Sequence, residues 1–384
     1  MRKIAVGQAG GPTAVFNASL VGLMESLYED ATLFTVTNGY QGLVQDDMEQ
    51  VDGALYEWVR RHRRVPGACL GSGRYPFTPE RMARAVANLQ KRDIHTLVLI
   101  GGNGTMAGLQ RMSEIARSMN YELQVVGIPK TVDNDLAGTD HAPGFASAAR
   151  YAAMSVRDIA KDLEAMRNFE QVRIIETMGR NAGWLALASG YLKASELDGP
   201  HFIYLPEVKV SREQFLTNVR DCVRELGMAT VVVSEGFAFS GSNVVMRGVV
   251  HNRAVLGGIA AEMGRLVRDE LGLIARWENM GMNQRSCCAA VSAQDRLEAY
   301  EVGKKAAEYV RDGRSGVMVS IQRTEAIGYN YELIDKPVEE VAQAGERLLP
   351  HDFIENRTKF YSWLEPIIGE DMVKYPPMRR VKQA

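Results

Sequence analysis

Apolar residues along this chain gather in short continuous runs, and many of these runs end in glycine. KIAVG (3–7) is one such run, and QAGGPTAVFNASLVGLMESLYE follows it with Val15, Leu20, Leu23, Met24 and Leu27 at helical spacing. The pattern predicts a buried strand, a Gly-Gly turn and a helix, which is the opening unit of a parallel α/β domain. ATLFTVTNG (31–39) reads as a second strand. TLVLIGGNGT (96–105) repeats strand, glycines and a helix from about residue 106, and LQVVGI (123–128) is a third glycine-poor run that ends in PKTVDND (129–135). A second series of elements follows. A helix is predicted over 146–167, a strand over QVRIIETMG (171–179), a helix over NAGWLALASGYL, and strands over FIYLPE (202–207) and MATVVVSEG (228–236) flanking a charged helix at 211–226. A long helix across 287–311 leads to a late strand, GVMVSIQR, and LEPIIG (364–369) predicts a helix packed back onto the body.

The expected fold is therefore α/β, with two interlocked Rossmann-like lobes, mostly parallel sheets and a cleft between them. The divisions predicted are 1–140 for the first lobe, 141–322 for the second, with the chain free to cross back, and 323–384 for a C-terminal appendage packed on the body. No internal repeat or linker-like low-complexity segment interrupts the pattern.

Composition narrows the function classes. With 384 residues and 46% hydrophobic content the chain can bury two cores. A formal net charge of −2 with 24% charged residues argues against a nucleic-acid surface. No apolar stretch approaches the roughly 20 residues of a membrane helix, and the opening MRKIAVGQAGG turns to glycine too soon for a secretory leader. Cys69, Cys222, Cys287 and Cys288 lack metal-ligand spacing and read as reduced thiols of a cytoplasmic protein.

The candidate chemistry lies at the ends of the runs, where open α/β sheets bind ligands. Gly10 and Gly11, and again Gly101, Gly102 and Gly104 before Thr105, place glycines at strand-to-helix turns whose backbone N–H groups can face an anion; ordinary tight turns are the competing reading. Arg74, in GSGRYP, is a candidate clamp on a moving phosphoryl group or else a solvated arginine. In PKTVDND, if the chain leaves the strand as a turn, one of Asp133 and Asp135 can take a substrate proton while the other holds Mg²⁺ or a sugar hydroxyl, with Lys130 on the phosphate side. Arg180, Glu235, Arg276 and Arg285 supply arginine forks for a substrate phosphate and a carboxylate for sugar hydroxyls, and Met178 is core or ligand wall.

Taken in order and spacing, GG (10–11), GGNGT (101–105), PKTVDND (129–135), MGR (178–180), SEG (234–236) and QR (284–285) resemble the phosphofructokinase family over residues 3–322, with a tail like that of pyrophosphate-using bacterial members. The resemblance implies phosphoryl transfer to the 1-hydroxyl of fructose 6-phosphate, with Asp133 as general base, Arg74 steadying the phosphoryl group and Lys130 meeting its charge. It places Gly11, Gly102, Asn103, Gly104 and Thr105 at the donor, Thr131, Asp135, Met178, Gly179, Arg180 and Glu235 around the sugar, and Arg276 and Arg285 on its 6-phosphate. Arg276 in the family reaches in from a neighbouring subunit, which implies a homodimer or tetramer with shared sites. Mg²⁺ is expected on Asp135 and Asn103, the latter standing where the family usually has aspartate.

Four departures bear on specificity. Gln171 and Met282 replace an arginine and a histidine of the bacterial ATP enzymes, which opens a different sugar or sugar phosphate as acceptor. Gly104 leaves room for a nucleotide, whereas Lys130 and the overall look resemble the pyrophosphate users. The reading on sequence is ATP with fructose 6-phosphate; the alternatives are pyrophosphate as donor, another acceptor, or a non-catalytic sugar-phosphate or nucleotide sensor.

Overall fold

The computed structural model describes residues 1–250 and 253–379. The chain divides into two compact units, and each has its own parallel sheet. This is the two-lobed, mostly parallel α/β architecture that the hydrophobic runs predict.

The first unit comprises Met1–Ser147 and Arg285–Arg347. Its seven strands lie in the order Tyr331–Pro337, Val317–Arg323, Gln124–Pro129, Thr96–Gly101, Arg2–Gln8, Ala31–Val36, Met48–Gln50. The five inner strands pair in parallel and the two outermost antiparallel. Both faces are covered, so alternate residues of one strand serve different cores. Ile4, Val6, Val98 and Ile100 pack with Phe16, Leu20 and Tyr309, whereas Ala5, Leu97 and Leu99 pack with Met106 and Leu109. The strand order reverses between Arg2–Gln8 and Thr96–Gly101. A crevice beyond their carboxyl ends is the position at which such sheets take ligands.

The division expected from sequence differs from the one observed. The helix Ala293–Arg311 and the strand Val317–Arg323 belong to the first unit rather than the second, and Tyr331–Pro337, expected in a separate appendage, is the edge strand of the first sheet. Close approach explains the helix's place. A Cβ on Gly22 would lie 2.1 Å from the Tyr300 carbonyl oxygen, and one on Gly303 would lie 2.1 Å from that of Ser19, so this helix and Phe16–Leu27 touch backbone to backbone. An amphipathic pattern reports a buried face but not which sheet buries it.

The second unit comprises Ala148–Gln284 and Leu348–Ala384. Its sheet runs Ala275–Asn279, Val172–Thr177, Ala229–Ser234, Phe202–Tyr204, all parallel, over a core of Val172, Ile174, Val231, Phe215, Phe237 and Met263. A two-stranded hairpin joins Met246–Val250 to Arg253–Leu256. The helix expected over NAGWLALASGYL is confined to Trp184–Ala188. Trp184 is fully buried against Phe353, Phe360 and Trp363, which seats the helix Arg357–Ile368 where LEPIIG predicted one. Among the described residues no helix is long and apolar enough to cross a membrane.

Candidate active site

Three chain segments leave neighbouring strands of the first sheet side by side, because Gln8 pairs with Ile100 and Gly101 with Pro129. Gly10 has φ +82°, a left-handed turn that favours glycine, and its carbonyl accepts a hydrogen bond from Ser72 Oγ at 2.6 Å. The Gly11 carbonyl accepts one from Lys130 Nζ at 2.6 Å, so the two loops expected to meet do so directly. A Cβ on Gly11 would stand 2.8 Å from Arg285 Nη1, so the guanidinium lies directly against this glycine.

The helix Asn103–Ser118 begins immediately after its strand, three residues earlier than the apolar spacing predicts. Gly102 occupies its N-cap in an extended conformation and supplies no side-chain cap. With no side chain on the cap, the positive end of the helix dipole is open to an anion. Thr105 is buried, and its amide donates to the Gly102 carbonyl. Gly104 is exposed, and its carbonyl accepts a 3.2 Å hydrogen bond from Tyr40 Oη. Tyr40 in turn stacks on Phe77, with ring centroids 4.2 Å apart. Sequence reasoning missed this half-buried aromatic pair. Its only signal was two aromatic residues in polar surroundings, more than 35 positions apart by number.

PKTVDND does leave the strand as a turn. Thr131 Oγ1 donates to Asp135 Oδ1 at 2.9 Å and accepts from the Asp133 amide at 3.1 Å. Asn134 sits at φ +52° and its Oδ1 accepts from the Ala142 amide. The Asp135 carbonyl accepts from Asn103 Nδ2 at 2.9 Å and from the Arg347 amide at 2.7 Å. Lys130 is only 4% exposed, with Nζ 4.7 Å from the centre of the Phe16 ring. Burial pulls its pKa down to about 7; Asp135 and Asp133 resist that fall, while Arg285 and Arg74 add to it. Burial likewise depresses Arg285, with Arg74 adding to the effect and Asp133 opposing it. Asp133, Lys130, Arg74 and Arg285 thus form one electrostatic cluster beside Gly11. Arg74 is its exposed member.

Burial raises the Asp135 carboxyl, and the nearby Glu346 charge raises it further. Asn103 Oδ1 is buried with no hydrogen-bond partner. Two hard oxygen donors near each other, one of them orphaned, fit Mg²⁺, which takes one or two protein oxygens and completes its octahedron with water and substrate phosphate. Among the described residues no group of three or more His, Cys, Asp or Glu side chains is arranged to hold a metal, so such an ion would lean on the donor's phosphates.

The remaining candidates belong to the second unit. Met178, Gly179 and Arg180 follow the strand Val172–Thr177, with Gly179 at φ +145° and Arg180 at φ +47°. Glu235 Oε1 accepts the Arg180 amide at 3.3 Å, and the Glu235 amide donates to the Thr177 carbonyl at 2.9 Å. A Cβ on Gly236 would lie 1.5 Å from the Arg180 carbonyl oxygen, so SEG requires its glycine to hold this turn. Burial raises the Glu235 carboxyl, the arginine's amide pulls it back, and the Glu176 charge lifts it again. The Met178 amide donates to Gln284 Oε1 at 3.0 Å. Sequence reasoning also missed Glu176, a buried carboxylate that accepts the Gly258 and Ala260 amides at the start of the helix Ile259–Leu271. A lone carboxylate inside the apolar QVRIIETMG was the available signal. Arg276 lies on the edge strand Ala275–Asn279, 59% exposed at the side chain and 3.0 Å from Glu170 Oε2. Gln171 spends its amide oxygen on the Ile274 N–H, and Met282 is 57% exposed.

Comparison with known proteins supplies the context. A family model described as phosphofructokinase matches residues 3–310. The sulfofructose kinase of Alkalicoccus urumqiensis is 46% identical over 382 residues, covering 100% of this chain and 98% of that protein. The pyrophosphate–fructose 6-phosphate 1-phosphotransferase of Xanthomonas campestris pv. campestris is 34% identical, covering 90% and 85% respectively. The crystal structure of a pyrophosphate-dependent phosphofructokinase from Marinobacter aquaeolei superposes with a TM-score of 0.85 at 31% identity, covering 99% of this chain and 94% of the other.

Proposed function

This chain belongs to the phosphofructokinase family, and on that premise we propose that it transfers a phosphoryl group from ATP to the 1-hydroxyl of a fructose carrying a sulfonate at carbon 6. Phosphotransferase activity itself follows from the family, which sets aside the reading as a non-catalytic sensor. In the proposed reaction Asp133 takes the proton of the attacking hydroxyl, while Arg74 and Lys130 meet the charge that develops on the transferring group. Bound Mg²⁺, held by Asp135 and Asn103 Oδ1, would neutralise charge on the donor's phosphate oxygens. Glu235 and the Met178–Arg180 turn are proposed to hydrogen-bond the sugar hydroxyls, and Arg285 to pair with the acceptor's anionic group.

The acceptor rests on one observation: Gln171 and Met282 bring no charge where the resemblance places an arginine and a histidine in the bacterial ATP enzymes. Gln171 is also committed to the Ile274 amide. A sulfonate carries a single negative charge, whereas a phosphate monoester approaches two at neutral pH. Fewer cations therefore suffice for it. Fructose 6-phosphate, the leading acceptor on sequence, becomes the second reading, and the full-length likeness to a sulfofructose kinase supports the change. With 6-deoxy-6-sulfofructose, kcat/KM is expected to exceed that for fructose 6-phosphate by about tenfold or more, within the range one altered pocket contact supplies. Steady-state kinetics with both sugars decides it; fructose 6-phosphate both tighter and faster would reverse the assignment.

The donor rests on Gly104. It is exposed at the helix N-terminus and lies beside the Tyr40–Phe77 ring pair, a flat apolar surface suited to a nucleobase. Pyrophosphate is the second reading, favoured by Lys130 and by the names of several relatives. Gly104→Asp is expected to lower kcat/KM for ATP by at least about tenfold through clash and charge repulsion, while affecting pyrophosphate use less. Turnover with pyrophosphate alone in the unmodified protein would overturn ATP.

We further propose a homodimer that lends Arg276 across its interface. This arginine sits on an edge strand beside exposed Phe169, Ile274 and Trp277, an edge that a second copy would cover.

A further inference from the structure

The segment that carries Asp133 and Asp135 is strapped to itself before it is strapped to anything else. Its front half, Thr131–Asp135, is tied to its return half by the Thr131 amide on the Pro143 carbonyl, the Thr131–Gly144 bridge and the Ala142 amide on Asn134 Oδ1. These ties couple the two aspartates to residues 139–144, alongside the bonds that Asn103 and the Arg347 amide make to the Asp135 carbonyl. The return half is fixed to the strand Val317–Arg323 by the Asp140 amide on the Ile321 carbonyl and by Arg323 Nε on Asp140 Oδ1 at 2.8 Å. It is fixed to the helix Ala293–Arg311 by the Gly144 and Ser147 amides on Asp295, and by His141.

His141 has no accessible surface, and neither does Glu298. One imidazole nitrogen is 2.8 Å from Asp140 Oδ1 and the other is 2.7 Å from Glu298 Oε2. With both carboxylates ionised, the two can be satisfied only if both ring nitrogens carry protons, which makes the ring an imidazolium. Glu298 in turn accepts Tyr329 Oη and Gln294 Nε2, so the carboxylate is held from the far side as well. A buried ion pair of this kind is a poor source of net stability, since apolar packing would serve as well; what it fixes is geometry.

We propose that protonated His141, clamped by Glu298, is the positioning residue that sets Asp133 and Asp135 for phosphoryl transfer. It touches no reacting atom and acts through the Asn134–Ala142 and Thr131–Pro143 ties. The inference rests on the proposed role of Asp133. Asp140 and Glu298 face the two ring nitrogens; around them Arg323 donates to the Asp140 carboxylate, Arg347 to the Asp140 carbonyl and Tyr329 to Glu298, while Asp295 holds the Gly144 amide. Burial opposes the charged ring, but Glu298 and Asp140 outweigh it and lift the pKa to about 9.

The test uses the full chain and the donor and acceptor that the unmodified protein turns over best. His141→Gln is expected to lower kcat by about 10–100-fold, as a displacement near 1 Å does, with the donor KM within about threefold. In Glu298→Gln the carboxylate that raises the ring's pKa is gone, so the alkaline limb of kcat should move from near pH 9 to lower pH by about one unit or more. A role confined to stability would lower Tm and leave the limb of the folded enzyme in place, and that outcome overturns the proposal, as does near-normal kcat in His141→Gln. If His141→Gln does not fold, the limb in Glu298→Gln decides. Hydrogen exchange of the 131–144 amides, faster in Glu298→Gln than in the unmodified protein at one fixed pH, reads the clamp without turnover. Loss of the proposed reaction is thereby told apart from loss of the clamp, and unchanged exchange counts against it.

Discussion

Asp133→Ser is expected to lower kcat by about 10²–10⁴-fold, the range of general-base catalysis, while KM for both substrates stays within about threefold. The turn that presents this carboxylate is held through its backbone: the Asp133 amide donates to Thr131 Oγ1, and Thr131 also binds Asp135. Removing the side chain therefore leaves the turn's own bonds in place. What disappears is a carboxylate that Lys130 and Arg285 both sense. A base acts on a proton that moves only in the transition state, so its loss appears in kcat rather than in ground-state binding. Asp133→Asn, nearly the same shape, should fall as far as the serine variant, which separates chemistry from packing. Thermal melts should stay within a few degrees. Near-normal turnover in either variant would transfer the role to Asp135, whose raised carboxyl and Thr131 partner make it the next candidate.

The parts of this molecule that were legible in its sequence are those where one local pattern has one structural outcome. Inner strands of a sheet covered on both faces are apolar at nearly every position, so KIAVG, TLVLIG and LQVVGI read as strands. Edge strands carry no such constraint. Ala275–Asn279 is exposed at four of its five positions, and neither it nor Met48–Gln50 formed an apolar run to be read. The departure of PKTVDND as a turn was legible because strand chemistry cannot accommodate so many polar groups in sequence. The partners that hold it were not. The Arg347 amide, Glu298 and Asp295 lie between about 150 and 210 positions away in the chain, and nothing short of the fold brings them to residues 135–147. The same distance hid the Tyr40–Phe77 pair and the return of Ala293–Arg311 to the first unit, where two glycines, rather than any hydrophobic stripe, decide which helix it meets.

Lys130 carries the second large effect, and its sign follows from burial. An ordinary lysine keeps its proton to about pH 10.5, whereas here burial brings the value down to about 7, with Asp135 and Asp133 limiting the fall. In the absence of donor, Lys130 is charged below about pH 7 and neutral above it. A polyphosphate brought beside the Gly11 carbonyl adds negative charge, which favours the ammonium and raises its pKa, so binding at pH 8 takes up close to one proton. Donor kcat/KM is accordingly expected to fall by about tenfold per pH unit above 7, and calorimetry in buffers of different ionisation enthalpy should register the proton. Lys130→Met removes a donor aimed at the developing charge and should lower kcat by about 10²–10³-fold at pH 6.5. It should also flatten the pH dependence, which separates this lysine from titration of the donor itself. Stability moves in the opposite sense. Between pH 7 and 10.5 the unfolded chain binds the proton that the folded one has lost, so the cost of burying this lysine is present in full below 7 and fades as pH rises to 10.5. Lys130→Met should therefore raise Tm at pH 6 and change it little near pH 10. A slope that survives the substitution, or a donor kcat/KM that stays level from pH 6 to 9 in the unmodified protein, would show that Lys130 holds its proton throughout and acts as a fixed charge.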